Sequence, residues 1–227
     1  MIAFFNAINT YTDASLYKDE KGITSTCAGY VTVYHGKIID EGVRVLYNTT
    51  NNYGEIFAIY MGVQSLLKFA HMDTFLNLFS DSKISVDGLT SWISGWVKNQ
   101  DKNGIMYSSS GTRVANQEIF SAIINMIAFH GVHLQLHHIL GHINPNNAQM
   151  LEKARITFKR ENGVLLSEEI MREICSYNNY VDNRTRDMLM SSVNNKMSLA
   201  NYAAPEIAMS YVLSKGMVDN YLKLLSD

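Results

Sequence analysis

The stretch Asn48-Thr49-Thr50-Asn51-Asn52-Tyr53-Gly54-Glu55 is a turn-forming cluster that runs straight into an apolar-periodic segment. Asn and Thr side chains compete with the backbone for hydrogen bonds, so such a cluster closes one element and opens a helix. Ile56, Ile59, Tyr60, Val63, Leu66 and Leu67 then recur at helical spacing. The pattern predicts a helix from about Tyr53 to Ala70, with Asn51 or Asn52 placed to cap it. Glu55 is the only acidic residue in its first two turns. Three aspartates stand at comparable junctions, where a strand ends or a helix begins: Asp13 in Tyr-Thr-Asp-Ala-Ser, Asp81 in Phe-Ser-Asp-Ser-Lys, and Asp182 in Asn-Asn-Tyr-Val-Asp-Asn. These four carboxylates are expected to meet in space.

Upstream, the short apolar run Phe4 to Thr12 reads as a buried strand ending at Asp13, followed by a polar turn from Ala14 to Gly22. Thr24 to Val33 is β-branched and aromatic, the His35-Gly36 turn follows, and Lys37 to Tyr47 is a third strand-like run, so these three strands form an antiparallel meander. Downstream, Phe75 to Phe79 is a short strand, Val86 to Val97 resumes a helical pattern, and Asn99 to Gly111 is a loop. Ile119 to Phe129 is an apolar helix and His133 to Ile139 alternates as a last strand. Beyond Gly141-His142 the chain turns helical, over Asn146 to Phe158, Ser167 to Ser176, Asp182 to Asn194 and Pro205 to Leu225. The element order predicts an α/β fold: a mixed five-stranded sheet, three strands antiparallel and the rest parallel, flanked by helices.

Composition narrows the class. With 227 residues, 47% hydrophobic and 18% charged, the chain can bury a sizeable core, and its formal charge of −2 rules out coating nucleic acid by bulk electrostatics. A local basic groove is still compatible with that charge. Cys27 and Cys175 lack metal-ligand spacing and point to a reducing compartment. The start Met1 to Phe5 has no basic leader pattern, and no segment reaches the roughly 18 apolar residues of a membrane span. A soluble cytoplasmic protein without membrane attachment is expected.

A single aspartate after a strand is most often a turn residue or a helix cap. Several acids brought together are different, because they repel one another unless divalent cations neutralise them. An all-carboxylate cluster suits a hard cation such as Mg²⁺ or Mn²⁺. The wording around these acids closely resembles the type 1 ribonuclease H family. The matching pieces are Tyr-Thr-Asp13-Ala-Ser, Asn-Thr-Thr-Asn-Asn-Tyr-Gly-Glu55-Ile-Phe-Ala, and Ser-Asp81-Ser-Lys followed by Gly88-Leu-Thr-Ser-Trp-Ile-Ser-Gly-Trp96, then a strand into Leu140-Gly141-His142.

The resemblance implies a two-metal endonuclease that hydrolyses the RNA strand of an RNA–DNA hybrid and leaves 5′-phosphates. Asp13, Glu55, Asp81 and a fourth acid would hold two Mg²⁺ or Mn²⁺ ions, Asp13 bridging them. In the family the fourth acid follows the Gly-His loop closely, but Asn144 to Leu151 offers none, and only Glu152 lies nearby. The segment Asn178-Asn179-Tyr180-Val181-Asp182 looks like the family's Asn-x-x-x-Asp helix start, which makes Asp182 the fourth ligand and Glu152 the reserve. A helical insertion over about 144–177 is then required, inside a domain spanning 1–195. Residues 196–227 would form a C-terminal helical extension, docked on the domain or serving as a homodimer contact. His142 would transfer a proton or assist product release. Thr50, Asn51 and Asn52 would line the hybrid, with Ser15, Lys83 and Asn116 as further contacts and Trp92 either stacking on a sugar or joining the core. Lys98, Lys102 and Arg113 are sparse where the family often carries a basic protrusion; Lys153, Arg155, Lys159 and Arg160 form the densest basic run, equally readable as a nucleic-acid contact or a solvated face. His137 and His138 read as structural, one facing in and one out. A DNA-directed nuclease of the same superfold, of the junction-resolvase or integrase type, and an inactive nucleic-acid-binding module are the rival readings.

Overall fold

The computed structural model describes residue 4, residues 6–194 and residues 212–226. Three long strands, β1 (Ala7–Lys18), β2 (Thr24–Tyr34) and β3 (Lys37–Tyr47), form the antiparallel meander. β4 (Phe75–Ser80) joins β1 in parallel and β5 (Gln135–His138) joins β4 in parallel, giving the order β3-β2-β1-β4-β5. The mixed sheet expected from the sequence is the one observed. Helix α1 (Asn51–Leu67) follows β3. After β4 come α2 (Lys83–Asp87), a π-helical turn at Gly88–Trp92, α3 (Ile93–Lys98) and α4 (Gln117–His130). After β5 come α5 (Ala148–Asn162), α6 (Glu168–Asn194) and α7 (Lys215–Ser226). Among the described residues, no helix is long and apolar enough to cross a membrane.

Side chains alternate across β1, so its two faces belong to different layers. On one face Ile8 joins the core made with α1, α4 and α7, and Thr10 bonds Thr32, whose hydroxyl bonds Ser65 of α1. On the other face Tyr11 stacks on Tyr177 of α6 with ring centroids 5.3 Å apart, and the Ser15 and Thr185 hydroxyls lie 2.9 Å apart. That second core, with Phe4, Phe79, Phe158 and Ile174, is covered by α5 and α6. Two apolar layers around one sheet are the architecture that buries both faces.

Several boundaries depart from expectation. β1 does not end at Asp13: it pairs with β4 only as far as Thr12 opposite Ser80, yet keeps its antiparallel partner β2 out to Lys18 opposite Thr24. Helix α1 begins at Asn51, and its cap is Thr50, whose hydroxyl accepts from the Tyr53 N–H at 3.2 Å, rather than Asn51 or Asn52. The helices expected at 167–176 and 182–194 are one continuous α6. The Asn178-Asn179 pair that reads as a break instead points its amides at tertiary partners, Asp81 and the Ile143 carbonyl. His137 and His138 are both buried. His137 lies among Phe4, Phe79 and Phe158, where burial holds its pKa down to about 4, and His138 pairs with Glu161 of α5, so the added helix covers the side that would have been solvent. For the helix expected from Pro205 to Leu225, residues 205–211 lie outside the described residues; the described part starts at Lys215 and sinks Val218 and Tyr221, with Leu213 before it, into the core.

Candidate metal centre

The register places the acids. Because β4 stops at Ser80, β1 has no parallel neighbour beyond Thr12, and Asp13 stands beside the gap. Asp81 is the residue immediately after β4 and turns into the same gap. Glu55 comes from the first turns of α1, on one layer, and Asp182 from the middle of α6, on the other. Gly54 lets α1 come close enough: a Cβ there would lie 3.0 Å from Thr26 and 3.1 Å from Ala14, tighter than ordinary packing. Gly141 is more constrained, since a Cβ would fall 2.2 Å from Asp81 Oδ2.

Asp13, Glu55 and Asp81 each offer an oxygen, and these atoms lie within 4.8 Å of one another. Few donors attend them. Asp13 Oδ1 accepts the Ala14 N–H at 2.7 Å, Glu55 Oε1 accepts from Asn51 at 3.4 Å, and Asp81 Oδ2 accepts from Asn178 at 3.5 Å. Glu55 Oε2 is buried with no partner among the described residues. Burial, and then the neighbouring carboxylates Asp13 and Asp81, push Glu55 up to about 9. Burial, Asp81 and Asp182 push Asp13 up to about 8 against the Ala14 hydrogen bond, and burial also raises Asp81. A hard, all-oxygen donor set with an orphaned buried oxygen and mutual repulsion is one that a divalent cation fits.

The remaining expected residues divide clearly. Asp182, 14% exposed, points toward the cluster closely enough to raise both Asp13 and Glu55, but its two oxygens are engaged by Arg186. Glu152 is 53% exposed and pairs with Arg155. His142 holds a left-handed backbone, φ 54°, with its side chain 75% exposed and Nδ1 3.6 Å from Asp182. Thr50, Asn51 and Asn52 are exposed around Glu55. Trp92 is 42% exposed at the end of the π turn, beside Trp96, whose ring packs edge-on against Phe120. Ser15 is turned toward α6 by its bond to Thr185, Lys83 pairs with Asp87, and Asn116 is the half-buried left-handed residue before α4. Asn178 and Gly141 stand in the Asn-x-x-x-Asp and Gly-His motifs without a role of their own in the sequence reading, and Arg186 carries none at all. The i,i+4 spacing of Asn178, Asp182 and Arg186 on one helix stripe was the signal available for two of them.

Residues 6–155 match the RNase H family model. Ribonuclease H1 of Homo sapiens is 31% identical over 107 residues, 47% of this chain and 34% of that protein. Ribonuclease H of Haemophilus influenzae strain 86-028NP is 32% identical over 101 residues, 44% of this chain and 58% of that protein. The matched part thus spans between 34% and 58% of the length of these two relatives. A foamy viral protease-reverse transcriptase solved with dsDNA shares the fold at a TM-score of 0.51 and 15% identity, over 71% of this chain and 96% of that one. A second structure, of the foamy viral protease-reverse transcriptase with an RNA/DNA hybrid, gives 0.51 and 14%, over 72% of this chain and 20% of that one. The family model matches two thirds of the chain's length, and the chain belongs to the RNase H family.

Proposed function

We propose that this chain is a metal-dependent endoribonuclease that hydrolyses the RNA strand of RNA–DNA hybrids, leaving 5′-phosphates. The observation that carries the reading is the convergence of Asp13, Glu55 and Asp81 around the unpartnered Glu55 oxygen, in a chain of this family. Asp13, Glu55, Asp81 and Asp182 would hold two ions, Mg²⁺ or Mn²⁺. When bound, such ions supply charge neutralisation at the phosphodiester and a lowered pKa for the attacking water.

The protein's own groups do the rest. Thr50, Asn51 and Asn52, exposed at the head of α1, offer hydroxyl, amide and backbone donors and acceptors beside Glu55 for a ribose 2′-hydroxyl, the group that separates RNA from DNA. His142, exposed on its loop and next to Asp182, is placed to carry a proton at the leaving oxygen. The exposed face of Trp92 offers a surface for a sugar of the DNA strand. We further infer that 144–177 is an insertion that adds α5 and lengthens the last helix within the 1–195 domain, and that 196–227 is an extension of it.

Incubation with end-labelled RNA–DNA hybrid, duplex RNA and duplex DNA in Mg²⁺ tests the reading. Cleavage confined to the RNA of the hybrid is expected; preferential cutting of duplex DNA would instead favour a DNA-directed nuclease of the same superfold. In the same assay Asp182→Asn is expected to lower the rate by about 10²-fold or more and Glu152→Gln by less than about threefold. The reverse order would make Glu152 the fourth ligand.

A further inference from the structure

Among the described residues, Asp182 is the one acid of the site with a cationic side chain hydrogen-bonded to it. A single guanidinium nitrogen of Arg186, one turn further along α6, donates to both carboxylate oxygens, at 2.8 and 2.6 Å. The hydrogen bonds to the other three acids come from neutral groups: the Ala14 N–H to Asp13, the Asn51 amide to Glu55 and the Asn178 amide to Asp81. Residues 178, 182 and 186 recur at four-residue intervals and so lie along one stripe of the helix, which here faces the acids. The Arg186 side chain is 53% exposed, while the carboxylate that its Nη2 holds is only 14% exposed.

This arrangement has a consequence for ion binding. An arginine stays charged at every working pH and bonds a carboxylate directionally. With both oxygens of Asp182 already engaged, an ion can reach that carboxylate only by displacing the guanidinium or sharing an oxygen with it. Among the described residues no cationic side chain is hydrogen-bonded to Asp13, Glu55 or Asp81, although the Arg186 charge reaches Asp13. We propose that Arg186 is a latch on Asp182: the free protein takes one divalent ion tightly at the trio, and the ion that uses Asp182 binds weakly until an incoming phosphodiester supplies a second anion for the released guanidinium. Arg186 is thus a positioning residue that couples occupancy of the second ion to the arrival of substrate. This rests on the reading of Asp182 as a ligand.

Mn²⁺ binding to the substrate-free protein, followed by calorimetry and by electron paramagnetic resonance, tests the latch directly. The wild type is expected to bind one ion tightly and a second at least about tenfold more weakly, and Arg186→Met to tighten the second by about tenfold, about 1.4 kcal/mol, with the first unchanged within about threefold. Arg186→Lys, which keeps the charge as a compact ammonium on a shorter stem, is expected to fall between them. Should Arg186→Met fail to fold by circular dichroism, Arg186→Gln carries the same expectation. Asp182→Asn is expected to abolish the second ion in every background. A second ion unchanged or weakened in Arg186→Met, or two tight ions in the wild type, overturns the latch while leaving the metal centre standing. No Mn²⁺ bound by the wild type, or a second ion that survives Asp182→Asn, overturns the reading of the ligands and the latch with it.

Discussion

Glu55 and Asp13 carry the energetic signature of the site. An unperturbed carboxyl titrates near about pH 4, whereas burial and mutual repulsion move Asp13 to about 8 and Glu55 to about 9 in the folded chain. The unfolded chain gives up these protons readily and the folded chain resists, so the sign is fixed. Their contribution to stability is complete below the unfolded pKa and is lost as pH rises through the folded values. In chelator, the melting temperature is therefore expected to fall as pH is raised from about 5 to about 9, with Mg²⁺ restoring it most at the alkaline end. Asp13→Asn removes one titrating partner and should flatten the chelator curve; a wild-type curve that rises or stays level over this range would contradict the crowding of the acids. Gly141 sets a second residue-level expectation. Its added Cβ would overlap Asp81 Oδ2 at 2.2 Å, so Gly141→Ala should displace that carboxylate, lowering Mn²⁺ affinity and the cleavage rate by about tenfold to a hundredfold while the melt in chelator changes little. Unaltered metal affinity in that variant would mean that Asp81 is not held where the metal centre needs it.

At the level of elements, β2 and β3 were legible because β-branched runs around a tight His35-Gly36 turn leave few alternatives. The head of α1 was legible as a helix start, but Thr50, Asn51 and Asn52 are all competent caps, and only the backbone geometry selects Thr50. The end of β1 is not legible because Ser15-Leu16-Tyr17-Lys18 runs straight into the charged Asp19-Glu20-Lys21 turn, and pairing with β2 is what extends the strand to Lys18. Helix α6 was split for a related reason: an Asn pair lowers helix propensity locally, and its amides find their partners only after the Asp81 and Ile143 segments are in place. The local sequence around Asp13, Glu55 and Asp81 marks three acids that the fold brings within 4.8 Å of one another, while Asp182 is a candidate through the resemblance alone. Arg186 could not be recognised, since an Asp-Arg pair at i,i+4 is usually an ordinary surface bridge. Helix α7 offers a stability test separate from the site. Tyr221 is fully buried against the α1–α4 side, and its hydroxyl has no partner among the described residues. Tyr221→Ala is expected to cost about 3–5 kcal/mol in denaturant unfolding, as for other large-to-small aromatic changes, and Tyr221→Phe to be neutral or stabilising. A large loss in Tyr221→Phe would reveal a partner for that hydroxyl.

Across the whole molecule, the two layers and the sheet between them have separable roles. The sheet and α1 hold Asp13, Glu55 and Asp81, α6 on the opposite layer carries Asp182 paired with Arg186, and α5 and α7 cover apolar surface on the two sides. The 99–116 segment carries only Lys102 and Arg113 as basic residues, while α5 presents Lys153, Lys159 and Arg160 to solvent beside the β5 end of the sheet. The acid cluster is proposed to be a metal-dependent ribonuclease site. Single-turnover cleavage of the RNA strand in a labelled RNA–DNA hybrid, for the wild type and Asp13→Asn, in Mg²⁺ and in chelator, tests it most directly. Cutting by the wild type in Mg²⁺, none in chelator, and a loss of at least about 10³-fold in Asp13→Asn are expected. Cleavage that persists in chelator or survives Asp13→Asn, or no cleavage of the hybrid by the wild type, would contradict it.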